Sequence, residues 1–213
     1  MVIQNVHLKQ SGASLIEFMV ASLIGVIAIG VIGSLFISGQ KIASERSKEL
    51  LLVQDISSVM SQIKEDMQRA GFNGMSSGSA TLSSADFSIY SEPDIVGYSY
   101  RVASSGSSAF QNIVYKREAA IIPATGDALK VCEKASATPL TIASAADSIP
   151  GHPCYQVFND KQISISKLQV TTSSVASDSA DSKMVTVSIS GYLLQDPSVT
   201  HSMSIKTLQR NWQ

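Results

Sequence analysis

Residues 18–37 read Phe-Met-Val-Ala-Ser-Leu-Ile-Gly-Val-Ile-Ala-Ile-Gly-Val-Ile-Gly-Ser-Leu-Phe-Ile and carry no charge. As a helix rising ~1.5 Å per residue, this stretch covers roughly the 30 Å hydrocarbon core of a bilayer. Such a stretch must be given lipid or an equally apolar surround, and that requirement limits every other choice the chain makes. Glu17 stands immediately before it. An unpaired carboxylate facing lipid costs several kcal/mol or is forced to protonate, so Glu17 needs a specific partner. A secretory signal peptide and an ordinary signal anchor are the alternatives for this segment. The first usually has a shorter apolar core ending at a small-x-small site, which these residues do not clearly supply.

No proline or paired glycine interrupts the helical pattern until Gly71. From residue 40 the composition turns to mixed charge, and Leu52, Ile56, Val59, Met60, Ile63, Met67 and Ala70 recur at steps of three and four. They make one apolar stripe, while Glu49, Ser57, Ser61, Lys64, Glu65 and Gln68 fall mostly on other faces. The pattern predicts one helix over residues 13–70, greasy all round in 13–37 and amphipathic in 38–70, with Gly71 as its C-cap and Arg69 set favourably against the dipole. Such a helix is roughly 87 Å long, more than a compact domain of this size requires. It implies a filament or a membrane-anchored rod.

Gly12, then Ala13-Ser-Leu-Ile-Glu17, then an uncharged helix resembles the prepilin signal of type IV pilins and type II secretion pseudopilins. The resemblance implies a leader over residues 1–12. A prepilin peptidase would cut between Gly12 and Ala13 on the cytoplasmic side and methylate the new amine, with Glu17 recruiting and aligning the subunit in a filament. The freed amine of Ala13, in this chain or a neighbour, is then the candidate partner for Glu17. Ala13 stands where phenylalanine or methionine is more usual. Ser34 stands where many major pilins have proline, which leaves Gly30 and Gly33 as softer points in the helix.

The chain has 213 residues and a formal net charge of −1; loss of Lys9 with the leader would make it −2. That balance supplies no electrostatic case for nucleic acid or anionic lipid as the main partner. Cys132 and Cys154 are the two cysteines. In a domain outside the cytoplasm they are expected to pair, closing a loop of about 20 residues worth ~3 kcal/mol on the chain-entropy model. Two unpaired buried thiols are the alternative. Lys41, Arg46 and Lys48 beyond the span would, by the positive-inside rule alone, hold the C-terminal part in the cytoplasm. The cysteine pair and the leader resemblance argue for export, and Glu45 and Glu49 dilute the basic field.

The remaining residues, 71–213, read as a β-rich domain. Strand-like runs lie at 96–102, 112–117, 129–132, 155–158 and 163–172, with a phase slip at Lys167 suggesting a bulge. Ser/Gly/Ala-rich stretches at 75–86, 103–111 and 173–182 read as loops. A closing hairpin is expected, with 184–194 alternating, Gln195-Asp-Pro-Ser198 turning and 202–208 returning. Residues 66–74, Asp-Met-Gln-Arg-Ala-Gly-Phe-Asn-Gly, and the ending Leu208-Gln-Arg-Asn211 resemble minor pilins of the PilW type and the related GspJ pseudopilins.

Catalytic chemistry is not expected. His7, His152 and His201 are scattered, and no zinc-protease motif, nucleophile elbow or phosphate loop occurs. His152 with Cys132 and Cys154 would give three zinc ligands without a fourth, and Asp178 with Asp181 is a thin calcium site. Lys116, Arg117, Lys130, Lys134 and Arg210 are too dispersed for a DNA groove. The expectation is therefore an α+β, type IV pilin-like chain: a minor pilin without cofactor, metal or nucleic acid. Its implied partners are other minor and major pilins, the prepilin peptidase/methyltransferase and the inner-membrane assembly platform. Its implied place is the inner membrane with a periplasmic C-terminal domain, then an extracellular pilus, where it helps prime assembly and joins a tip complex. A GspJ-like pseudopilin and a tip adhesin or DNA-uptake module are the alternatives.

Overall fold

The computed structural model describes residues 14–74, 78–83, 85, 87–122, 124–177 and 180–209. Two units divide the chain, Met1–Ser47 and Lys48–Gln213. One helix, α1 (Leu15–Met67), contributes to both.

In the first unit, residues 15–47 of α1 are exposed, Gly25 alone being partly covered. The helix passes through Gly30 and Gly33 uninterrupted. The two polar side chains of residues 18–37 are satisfied within the helix: the Ser22 hydroxyl donates to the Met19 carbonyl at 2.9 Å and the Ser34 hydroxyl to the Val31 carbonyl at 2.8 Å. A helix meant for an apolar environment needs this, because no water will answer those hydroxyls there.

In the second unit, the stripe read from sequence is the buried face of α1: Leu52, Ile56, Val59, Met60, Ile63 and Met67. The helix ends three residues sooner than the pattern predicts. The Arg69 and Ala70 N–H groups bond the Asp66 and Met67 carbonyls, a tightened 3₁₀-type exit. The basic residue of the last turn is accordingly Lys64 rather than Arg69. Gly71, at φ +84°, turns the chain, donates to the Ser99 carbonyl and accepts from Ala80.

Five antiparallel strands form the first sheet, in order: β1 (Ile89–Glu92), β2 (Ile95–Arg101), β3 (Phe110–Glu118), β4 (Ala128–Ser136) and β5 (Tyr155–Gln156). A second, three-stranded sheet holds β6 (Ile163–Ser177), β7 (Ala180–Leu193) and β8 (Asp196–Gln209) in that order. Period-two alternation sorts the side chains. Val96, Tyr98, Ile113, Tyr115 and Leu129 of the first sheet share one core with the α1 stripe and with Ile163, Ile165, Leu168, Val185, Val187, Ile189 and Ile205 of the second. Ile95, Val114 and Cys132 fall on the other face, under Leu82 and the short helix α2 (Ile142–Ala146). Gly97 lets α2 come that close: a Cβ there would meet Ile142 Cδ1 at 2.8 Å and Leu82 Cδ1 at 3.0 Å.

Three sequence expectations are corrected. The Ser-rich stretch 173–182 is strand over 173–177 and 180–182, where β6 and β7 continue pairing, Ser173 against Met184 and Ser177 against Ala180. Small polar residues lower strand preference without preventing an antiparallel ribbon, whose backbone bonds need no side chain. The turn of the closing hairpin is Leu194-Gln195, since Leu193 pairs with Asp196. Pro197 then lies in β8, an edge strand, where a missing N–H costs least. Finally, 155–158 keeps only Tyr155–Gln156 as strand, while 129–132 lengthens to Ala128–Ser136. The expected slip near Lys167 is a register shift between Ile165 and Lys167 that leaves Ser166 as the extra residue.

Candidate functional site

Of the residues singled out at the N-terminus, Gly12 and Ala13 lie outside the described residues. Glu17 lies in the first turn of α1. Ser14 precedes the helix and its carbonyl accepts from Glu17 and Phe18 N–H groups at 2.9 and 3.2 Å. In return, the Ser14 N–H donates to Glu17 Oε2 at 2.9 Å. This is the glutamate half of an S-x-x-E capping box, in which the carboxylate answers a backbone N–H the helix cannot reach. The negative charge also sits at the positive end of the helix dipole. The residues for it, Ser14 and Glu17 three apart ahead of an apolar run, stand in the sequence, and this second use of Glu17 follows from them. Behind Glu17 comes the candidate surface: Phe18, Leu23, Ile24, Val26 and Ile32 are 60–73% exposed, on every side of the helix. By length and composition this helix is apolar enough to cross a membrane.

Cys132 and Cys154 belong to the second unit and are joined as a disulfide, with Cα atoms 4.2 Å apart. The bond closes residues 133–153, including α2, against the outer face of the first sheet. Thr141 caps α2, its hydroxyl accepting the Ser144 N–H at 3.2 Å. Lys134, largely buried, donates from Nζ to the Ser144 carbonyl at 2.6 Å. Asn112, fully buried, bonds the Lys134 carbonyl and the Ser136 hydroxyl and accepts from Leu140 N–H. With both thiols oxidised, the three-ligand zinc set with His152 does not exist, and no cluster of metal-binding side chains occurs among the described residues. Asp178 lies outside the described residues.

Of the dispersed basic residues, Lys116, Arg117 and Lys130 form ion pairs, Lys134 bonds a backbone carbonyl, and Arg210 lies outside the described residues. Arg117 makes a two-pronged contact with Asp94, both distances 2.7 Å, and a third at 2.7 Å to Asp127. The Arg117 guanidinium holds the Asp94 carboxyl below its ordinary range, against the opposing effect of burial. Asp94 takes φ +63° in the β1–β2 turn, and its N–H reaches the Leu168 carbonyl of the second sheet. Lys116 and Lys130 together pull the Glu118 carboxyl down in the same way. At the end of α1, Asp66 accepts from the Tyr115 hydroxyl at 3.2 Å. Burial, with Asp66 beside it, pushes that phenol well up. These charges answer one another and fasten strands and loops.

The family model described as prepilin peptidase-dependent protein B matches residues 45–208. The chain belongs to that family. It is a pilin-related protein, with the long helix and antiparallel sheets of a pilin-like α+β fold. The matched residues take in almost all of the second unit and stop short of Glu17 and the apolar stretch. No curated protein and no solved structure matches the chain.

Proposed function

We propose that this chain is a minor pilin, a low-abundance structural subunit of a type IV pilus. One observation supports the reading: an apolar helical surface, exposed all round over residues 18–37 and preceded by one acid, in a member of a prepilin peptidase-dependent family. The proposed sequence of events starts with cleavage between Gly12 and Ala13 and methylation of the Ala13 amine. Residues 18–37 then hold the subunit in the inner membrane, with the second unit in the periplasm. The Cys132–Cys154 disulfide supports that side, because such bonds persist in oxidising compartments. On assembly by the inner-membrane platform, the same apolar surface exchanges lipid for the helices of other minor and major pilins. The role is structural, priming the filament and taking a place at its tip.

Glu17 has two duties in this scheme. Its carboxylate offers more acceptor positions than one N–H fills, so it can cap its own helix through Ser14 and still receive the charged Ala13 amine of a neighbour. Two substitutions test the second of these duties. Glu17→Gln keeps an oxygen for the Ser14 N–H and loses the charge; Glu17→Ala loses both. Both variants are expected to enter the membrane and to be missing from sheared filaments. Normal incorporation of either Glu17→Gln or Glu17→Ala would refute the assembly role.

A further inference from the structure

A cleft of about 430 Å³ opens between α1 and the chain around β5, wholly within the second unit. Its size lies in the range of small-ligand sites, roughly 300–1,000 Å³. Asp55, Ser58 and Gln62 form one wall, at positions i, i+3 and i+7 of α1. They share a face beside the buried stripe, so Ile56, Val59 and Ile63 hold that wall in place. Gln156 and Asn159 form the other wall, and the floor is apolar, from Val59, Tyr115, Val131 and Phe158.

The second wall is fixed by bonds made elsewhere. Cys154, next to β5, is joined to Cys132 of β4. The Val157 N–H donates to the Leu129 carbonyl at 2.8 Å, and the Asn159 carbonyl accepts from the Gln162 and Ile163 N–H groups, both at 2.9 Å. A site whose walls are already ordered loses less freedom when a ligand enters.

Charge and hydrogen bonding say what fits. No lysine, arginine or histidine lines the cleft, so an anionic ligand would meet only the Asp55 carboxylate. Asp55, Ser58 and Gln62 make no side-chain hydrogen bond or ion pair among the described residues. Gln156 donates from Nε2 to Asp160 Oδ2 at 3.0 Å and keeps its oxygen for a ligand. Asn159 accepts the Lys161 N–H on Oδ1 at 3.1 Å and keeps its amide N–H groups. The cleft therefore offers acceptors at Asp55 and Gln156, donors at Asn159, and both at Ser58 and Gln62. A hydroxyl group donates and accepts at once, which suits so mixed a set. An extended peptide would need a strand edge to pair with, and β5 has only two residues.

We propose that this cleft binds a neutral saccharide, its hydroxyls engaging Asp55, Gln62 and Asn159 and its C–H faces resting on the apolar floor. That gives the second unit a binding activity beyond a place in a filament, one that needs neither membrane nor assembly.

The test applies the full chain, in a detergent without sugar headgroups, to an array of neutral, sialylated and sulfated glycans and, in parallel, to an array of peptides. Calorimetry with the best-retained neutral glycan then compares the unchanged chain with Asp55→Asn, Asn159→Asp and Glu65→Gln. Asn159→Asp keeps the oxygen that takes the Lys161 N–H, and Glu65 is exposed on α1 outside the cleft. Neutral glycans are expected to be retained, with an affinity that is level from low to high salt. Asp55→Asn and Asn159→Asp should each weaken binding about tenfold or more at an unchanged denaturation midpoint, and Glu65→Gln should not weaken it. Should either replacement lower the midpoint, the other decides. Retention of no neutral glycan, or of sialylated and sulfated glycans alone, overturns the proposal. So does unchanged affinity in a folded Asp55→Asn or Asn159→Asp chain, which would place the sugar elsewhere. Peptide capture that Asp55→Asn abolishes, without glycan binding, overturns it in favour of a protein partner. None of these outcomes touches the N-terminal processing on which the filament reading rests.

Discussion

Residues 15–47 and 48–67 of α1 are continuous helix, yet their apolar side chains have opposite fates. In the first stretch they point in every direction and are exposed; in the second, from Leu52 to Met67, they recur at steps of three and four and are buried against both sheets, with Leu50 and Leu51 left exposed before them. Hydrophobicity alone does not tell them apart, but its angular distribution does. A one-sided stripe is complementary to the chain's own sheets, whereas an all-round apolar surface asks for an environment that the chain does not supply. The boundary between the apolar surface that the chain covers itself and the one that it leaves exposed thus lies within one helix, near Lys48.

The largest effect expected from breaking that contrast comes from truncating the buried stripe. Ile56→Ala, at a fully buried position against Gly191, should lower the unfolding free energy of detergent-solubilised protein by ~2–5 kcal/mol. Ile27→Ala, 59% exposed in the other stretch, should leave the denaturation midpoint unchanged and instead weaken retention in membranes and filaments. Equal loss of stability in the two variants would erase the distinction between the halves.

Next in size is the disulfide. Replacing Cys132 and Cys154 together by serine should cost ~3 kcal/mol for the loop of about 20 residues it closes. Loss of protection in hydrogen exchange should concentrate in 133–153 and leave the α1 stripe protected. Uniform loss over the whole second unit would show that the clasp is not local. Gly126→Ala should follow at ~1–3 kcal/mol, because the added methyl meets Ser164 Cβ and backbone rather than a yielding side-chain tip. Gly97→Ala should cost less, since it meets the movable ends of Ile142 and Leu82. The reverse order would mean that Ser164 shifts more readily than α2.

The smallest effect is the pH dependence. Asp94 and Glu118 have their carboxyl groups lowered from ordinary values of 3.8 and 4.5 by Arg117 and by Lys116 with Lys130. A lowered acid contributes stability that is complete above its unfolded value and is lost as pH falls through its folded value. The unfolding midpoint should therefore be flat from pH 7 to about 5 and decline below about 4.5. Asp94 is more than a third exposed, so screening holds its share below about 1 kcal/mol. Arg117→Met should remove part of the acid decline by lowering stability at neutral pH, the two proteins converging near pH 2. A parallel offset at all pH values would assign Arg117 to packing alone.

Much of this was legible because helix periodicity is local. The stripe from Leu52 to Met67 and the turn at Gly71 follow from spacing and one glycine. Strands of the second sheet were visible where Val185, Val187 and Ile189 alternate, but composition hid their extension through 173–177 and 180–183, since that pairing depends on the partner strand. β1 escaped notice because Ile89 is the one buried residue of four. α2 escaped because five residues give no period, and only packing on Val114 and Gly97 makes it worthwhile. The Arg117 cluster was out of reach: Asp94 and Asp127 come from two different connections, which only the β2–β3–β4 register brings together. Ser14 and Glu17, by contrast, stand three apart ahead of an apolar run, a spacing that is legible in the sequence as a capping pair.

The central claim is that the exposed half of α1 is made for other subunits once a leader has been removed. It is tested most directly by the N-terminal residue of protein recovered from cells that contain a prepilin peptidase. The account predicts a chain beginning at methylated Ala13. Functional protein that still carries residues 1–12 would contradict it.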